Sequence, residues 1–207
     1  MAPIPSEDDV TLAAEKTALR LAARAARARA HAVGGATAQD AASRTLEILP
    51  FRAGQIVSAY WPVGDELDTR PLMAALAARG CILALPKVVG RLQPLLFQCW
   101  RLGDPLVPGI LGIPAPVGEG EAVIVTPEIL VVPLLAFDRM GFRLGQGGGY
   151  YDVTLQVLRA GAWRDGRAVL AVGFAYGAQE IASVPHGAHD QRLDWIITER
   201  EAIKVPR

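Results

Sequence analysis

The sequence predicts an α/β fold: a single domain with a mostly parallel central sheet flanked by helices. Two observations lead to it. Short apolar runs rich in β-branched and aromatic residues alternate with helix-forming segments, first Gln55–Trp61, then 68–79, then Cys81–Leu85. Strand–helix–strand order with short connections is how parallel sheets are wired. The chain has 207 residues, of which 51% are apolar, enough to bury a real core in one domain or at most two small ones.

Taken in order, residues 1–10 hold two prolines and three acids and read as a flexible tail ahead of one domain at 11–207. Thr11 to His31 is rich in Ala, Leu and Arg without Gly or Pro and predicts a long helix, ended by Gly34 and Gly35. A second helix is expected from Ala38 to Leu49, stopped by Pro50. Gln55–Trp61 is expected as a buried strand, with Pro62, Gly64 and Asp65 turning the chain behind it. Asp68 or Thr69 is placed to cap a helix that carries Pro71 in its first turn and runs to Arg79. Gly80 stops that helix, Cys81–Leu85 is the next strand, and Pro94–Trp100 reads as another. Residues 103–120, crowded with Gly and Pro, read as an irregular surface loop. Glu128 to Phe137 contains Ile-Leu-Val-Val, a central strand that ends near Pro133 because proline cannot donate to the ladder. A glycine-rich stretch then opens a helix from Tyr151 to Ala160, and Ala168–Phe174 and Asp194–Thr198 supply the last strands.

Composition excludes several classes. Twenty-one Lys plus Arg balance 21 Asp plus Glu, against the basic excess of a general nucleic-acid binder. Cys81 and Cys99 are the only cysteines, so there is no disulfide framework and no four-cysteine zinc site. The acidic start lacks a basic leader region, and no apolar run approaches the ~18 residues that span a bilayer. The expectation is a soluble, cytoplasmic protein with no membrane partner.

The most informative segment is Gly141-Phe-Arg143-Leu144-Gly145-Gln146-Gly147-Gly148-Gly149-Tyr150-Tyr151-Asp152. It follows a strand and opens a helix. Glycines let the backbone approach a ligand closely, and successive N–H groups at a helix N-terminus form an anion site. Arg143 adds a guanidinium that can fork onto phosphate oxygens. No Gly-Lys-Ser/Thr follows, so this is not the Walker loop, and Tyr150 breaks the dinucleotide-binding spacing. The plain alternative is a turn with no ligand, but four glycines among five residues are a costly way to make one.

That run closely resembles the signature of the 5-formyltetrahydrofolate cyclo-ligase (methenyltetrahydrofolate synthetase) family. The resemblance extends to Lys16-x-x-x-Arg20, to Tyr60-Trp-Pro-Val-Gly-Asp-Glu66-Leu-Asp-Thr69, to Leu85-Pro86, Gly112-Ile113-Pro-x-Pro116 and Val132-Pro133, and to Gln179, Pro185 and His189-Asp190. It covers roughly residues 15–199. It implies the sugar-phosphate isomerase and CoA transferase-like architecture, and ATP- and Mg2+-dependent conversion of 5-formyltetrahydrofolate to 5,10-methenyltetrahydrofolate by a monomer. In that chemistry ATP phosphorylates the formyl oxygen, N10 attacks the activated carbon, and phosphate leaves.

The resemblance also implies roles. Lys16 and Arg20 contact ATP phosphates, and Arg143, Leu144, Gly145, Gln146, Gly147, Gly148, Gly149, Tyr150 and Tyr151 cradle the nucleotide. Arg143 and Tyr150 are the catalytic candidates. Trp61, Glu66 and Tyr150 face the folate, and Asp152 and Asp190 are the Mg2+ ligands. Each position has a plainer reading. Lys16, Arg20, Arg24 and Arg27 share one helix face, which is often just solvated, and Arg24 and Arg27 are expected to be surface or structural residues. Tyr150 and Trp61 suit packing, Asp152 suits a first helical turn, and Asp190 suits a loop. His31, His186 and His189 receive no catalytic role, and both cysteines are expected in the core.

Some relatives carry Lys where this chain has Gly148, many have Arg where it has Val153, and many have Glu where it has Gly187. These departures leave room for a paralogue with an altered substrate, and a relative that binds reduced folate without turnover is one alternative. A sugar-phosphate isomerase-like enzyme is the other alternative, on fold analogy.

Overall fold

The computed structural model describes residues 7–117, 123–161 and 169–206. Four helices and twelve strands follow in chain order: α1 (Glu7–Val33), α2 (Thr37–Ile48), β1 (Ile56–Ser58), α3 (Arg70–Ala78), β2 (Ile82–Lys87), β3 (Leu96–Cys99), β4 (Leu106–Pro108), β5 (Pro114–Pro116), β6 (Ile124–Val125), β7 (Ile129–Val132), β8 (Ala136–Phe137), β9 (Arg143–Leu144), α4 (Tyr150–Ala160), β10 (Leu170–Phe174), β11 (Trp195–Ile197) and β12 (Ala202–Lys204). Eight strands form one sheet in the order β12-β11-β10-β7-β1-β2-β3-β6. The five from β11 to β2 run parallel. β12 and β3 join them antiparallel, and β6 pairs antiparallel with β3.

The sheet is covered on both faces. All four residues of β7 are buried, as expected for a central parallel strand, where the usual apolar–polar alternation gives way to a continuous apolar run. Val57, Val131 and Val172 point toward α2 and α3, where they meet Ala41, Leu72, Met73 and Leu76. Leu130, Val132, Ala171 and Ile196 point the other way, toward Leu155 of α4. Helix α1 touches the first of these clusters only near its end, through Ala30. Its Leu19 and Ala23 contact a third cluster of Leu135, Ala136, Leu144 and Val184. That lays α1 against the β8–β9 hairpin and the segment beyond β10.

Several expectations shift. α1 begins at Glu7, so residues 7–10 are helical and not part of a tail, while residues 1–6 lie outside the described residues. Glu7 and Asp8 at the helix start complement the dipole, which composition alone did not reveal. Thr69 precedes α3 but makes no side-chain cap; its hydroxyl donates instead to the Tyr60 carbonyl at 2.6 Å, and Asp68 accepts from the Arg70 N–H. The stretch 103–120 is not wholly irregular, since β4 and β5 pair as a hairpin around Ile110–Gly112, and 118–120 lie outside the described residues. The expected strand at Gln55–Trp61 is regular only over Ile56–Ser58. β6, β12 and the two-residue strands β8 and β9 were not anticipated, being too short to show a period.

Asp138 closes the β8–β9 turn. Its buried carboxylate accepts from the N–H groups of Met140, Phe142 and Val184 at 3.0, 3.1 and 2.9 Å. Asp138→Ala strands three donors and is expected to lower unfolding free energy by about 3 kcal/mol, read as the midpoint shift in urea.

Candidate active site

In open parallel sheets, ligands bind outside the carboxyl ends of the strands, where successive connections diverge. β1 leads through α3 to β2 on one side, whereas β7 leads through α4 to β10 on the other. The divergence therefore falls between β1 and β7, and two adjoining cavities lie there. One, of about 280 Å3, is lined by the glycine turn, Arg143, Tyr150, Tyr151 and Asp152. The other, of about 390 Å3, is lined by Tyr60, Trp61, Pro86, Val88, Leu95 and Pro114. Arg27, Glu66, Ile113, Pro133, Gln146, Tyr150 and Tyr151 line both.

The glycine turn is shaped for close approach. Gly147 and Gly149 sit at φ +109° and +67°, where other residues are strained. A Cβ on Gly148 would come within 2.5 Å of the Tyr150 ring. Gly149 immediately precedes α4, and the first backbone N–H of the helix to find a carbonyl within the turn is that of Val153, which bonds Gly149 at 3.1 Å. The N–H groups of Tyr150, Tyr151 and Asp152 make no backbone hydrogen bond among the described residues, which leaves an anion-binding helix start.

α1 supplies cations to this turn along one face. Lys16 Nζ donates to both oxygens of Asp190 at 2.7 and 2.6 Å. Arg20 Nε donates to the Gly145 carbonyl at 3.0 Å, and its guanidinium would lie 3.4 Å from a Cβ on Gly147. Burial and the neighbouring Arg24 lower the Arg20 pKa. Arg24 donates to Gln146 Oε1 at 2.9 Å. Arg27 is buried, the structural one of the two expectations for it, and its guanidinium meets Asp65 at 2.5 Å and Glu66 at 3.6 Å. The i, i+4, i+8, i+11 spacing was visible in the sequence; which segments it would face was not.

Arg143 differs from the free phosphate fork that its sequence position suggests. Its side chain is 4% exposed, donates to Asp152 Oδ1 at 2.8 Å, and also donates to the Gln191 carbonyl. Burial lowers its pKa, opposed by Asp152 and Asp190. Asp152 Oδ1 also accepts the Gln191 N–H at 2.9 Å. Leu144 is a core residue, packed with Ala23 and Leu135, and its carbonyl is taken by Leu135 N–H.

On the second cavity's side, Glu66 Oε2 accepts the Val63 N–H at 3.0 Å. Burial raises its pKa, while that hydrogen bond and Arg27 pull it down. Burial likewise holds the phenols of Tyr60 and Tyr151 well above their usual range, with Glu66 adding to both. Trp61 lines the cavity and packs edge-on to Trp100 at 5.6 Å. The hairpin residues Leu111 and Ile113 join the walls; nothing in their local pattern signalled it. His31 bonds the Tyr176 hydroxyl and His186 the Val184 carbonyl, away from these walls. Cys81 and Cys99 are free thiols remote from both cavities, the first buried and the second partly so.

The model of the 5-formyltetrahydrofolate cyclo-ligase family matches residues 12–199. The chain belongs to that family. The cyclo-ligase of Escherichia coli K12 is 32% identical over 167 residues, covering 77% of this chain and 86% of that one. The Mycolicibacterium smegmatis cyclo-ligase is 32% identical over 161 residues, covering 75% and 79%. Among solved structures, the 5,10-methenyltetrahydrofolate synthetase of Aquifex aeolicus superposes with a TM-score of 0.66 at 27% identity, covering 93% of each chain. The matched span includes the glycine turn at the start of α4 described above.

Gly148→Ala is expected to push the Tyr150 ring aside while leaving the core intact. The checks are a melting temperature within a few degrees of wild type and a loss of nucleotide or folate affinity of about tenfold by isothermal titration.

Proposed function

We propose that this cyclo-ligase family member converts 5-formyltetrahydrofolate and ATP into 5,10-methenyltetrahydrofolate, ADP and phosphate. One observation carries the reading. A glycine-lined anion cradle adjoins an apolar cavity that holds a partly buried carboxylate, Glu66, with Tyr150 and Tyr151 in both walls.

The nucleotide's phosphates occupy the cradle, against the N–H groups that start α4, with Lys16 and Arg20 supplying positive charge from α1. Phosphoryl transfer asks a protein mainly for positioning and charge stabilisation, and this arrangement offers both. Arg143 contributes a fixed charge behind Asp152 and does not grip phosphate itself. Gly145, Gln146, Gly147, Gly148 and Gly149 line the cradle, with Leu144 behind them as a core residue. The flat folate ring lies in the larger cavity beside Trp61 and Tyr150, where the Glu66 carboxylate accepts paired N–H donors of the pterin.

The formyl oxygen attacks the γ-phosphorus, and the bond to the ADP oxygen breaks. N10 then adds to the activated carbon and the ring closes. The carbon–oxygen bond breaks with the oxygen departing on phosphate, which takes up the proton released from N10. Tyr150 stands at the junction, where the phosphorylated formyl group must sit.

The donor set suits Mg2+, which takes one or two carboxylates and completes its shell with phosphate oxygens and water. No group of three or more His, Cys, Asp or Glu is gathered for a metal among the described residues. Asp152 keeps Oδ2 outside its hydrogen bonds to Arg143 and Gln191, while Asp190 is held by Lys16. On this reading Asp152 and Asp190 hold the ion once Lys16 turns to phosphate. The ion would neutralise phosphate charge.

The same reading takes the protein as a cytoplasmic monomer of one domain. The two thiols suit a reducing compartment, and among the described residues no helix is long and apolar enough to cross a membrane. The charge balance of 21 Lys plus Arg against 21 Asp plus Glu gives no overall basic excess for nucleic acid.

The deciding assay follows near-ultraviolet absorbance of methenyltetrahydrofolate with and without ATP. ATP-dependent appearance supports the proposal. Folate binding without turnover, or sugar-phosphate isomerisation without ADP release, overturns it. Lys16→Ala is expected to raise the ATP KM about tenfold with the folate KM little changed. Because burial raises the Glu66 pKa, kcat/KM for folate is expected to fall on acidification at a pH above the ordinary glutamate range, with full activity on the alkaline side. Glu66→Gln should lack that limb.

A further inference from the structure

Arg27 stands out among groups that neither the composition nor the mechanism above explains. Its side chain is 7% exposed, yet it belongs to the walls of both cavities. Burying a guanidinium is expensive unless its donors are used, and Nε makes no hydrogen bond at all. Packing alone gives no reason to keep such a group, since an apolar side chain would fill the same space without an unpaired donor.

Its two partners are consecutive residues of the loop behind β1. Asp65 takes one terminal nitrogen at 2.5 Å, and Glu66 lies 3.6 Å from the other. Glu66 is fixed from its opposite oxygen by the Val63 N–H. The carboxylate is therefore held between its own loop and α1, facing the cavity assigned above to folate.

We propose that Arg27 is a positioning residue for the folate side of the site, bracing the Glu66 carboxylate toward the cavity and keeping it ionised, with Asp65 anchoring the guanidinium. This rests on the reading of Glu66 as the pterin's acceptor. The groups that bear on Glu66 are Arg27 from α1, Asp65 on its own loop, Tyr60 at the end of β1 and Tyr151 from α4. Of these, Arg27 alone brings positive charge. Its removal leaves burial and Asp65 to favour the neutral acid, which accepts less well from N–H donors.

The test compares wild type, Arg27→Ala, Arg27→Lys, Glu66→Gln and the Arg27→Ala/Glu66→Gln pair. Folate and ATP KM values are measured across pH, together with 5-formyltetrahydrofolate titrations without ATP. Arg27→Ala is expected to raise the folate KM about tenfold or more while the ATP KM stays within about twofold. Its acid limb should move up by about one pH unit. Arg27→Lys should keep the limb in place, and the pair should be no worse than Glu66→Gln alone. Losses that multiply in the pair, a rise confined to the ATP KM, or a limb displaced equally in Arg27→Lys and Arg27→Ala overturn the assignment. Should Arg27→Ala fail to fold, the Lys variant and a carbon-13 titration of the Glu66 carboxyl carry the same comparison. Absent turnover in wild type would instead defeat the cyclo-ligase reading. The folate titrations without ATP, and the Glu66 carboxyl titration, would then still judge Arg27.

Discussion

One helix face holds the site together. From Lys16 to Arg27, α1 reaches in turn to Asp190, the Gly145 carbonyl, Gln146 and the Asp65–Glu66 pair. These belong to the segment after β10, the glycine turn and the loop after β1, which a parallel sheet delivers to the same end but does not tie to one another. A rigid rod with cations three and four residues apart supplies that tie. The apolar side of the same rod, through Leu19 and Ala23, fixes how far it stands from the sheet.

Opposite charges neutralise one another across the cradle. Asp190 occupies Lys16, and Asp152 occupies Arg143. The two pairs differ in what they can release. Lys16 is a point charge on a flexible stem, 16% exposed, and can exchange a carboxylate for phosphate. Arg143 is sealed in, and separating it from Asp152 would leave a buried guanidinium without its partner, which is strongly unfavourable. The geometry therefore sets the part-exposed Lys16 apart from the sealed-in Arg143 and Arg27.

Much of this was legible in the residues. The parallel order followed from the alternation of β-branched runs and helices, and the cradle from Gly145 to Gly149 followed from glycine's tolerance of positive φ. Lys16 and Arg20 were placed on one face by simple periodicity. What escaped was non-local. Arg27 obeys the same spacing as Lys16, but only the loop after β1 shows that it points into an enclosed wall. Arg143 looked like a phosphate ligand because its partner Gln191 is 48 residues away. The β8–β9 and β4–β5 hairpins are two- and three-residue pairings stabilised by their surroundings, and such short strands carry no pattern of their own.

The ion pair between Lys16 and Asp190 joins positions 174 residues apart. During synthesis the first helix emerges early, while its counter-charge is still untranslated. A ribosome-bound intermediate, or a chain cut short before position 190, already holds the loop after β1 and the glycine turn that α1 packs on, but lacks the carboxylate that pairs with Lys16. Closing so large a loop adds entropy only slowly with length, but it delays the contact in time. The last of the contacts that seat the first helix is therefore a late event of biogenesis, withheld until nearly the whole polypeptide has been made.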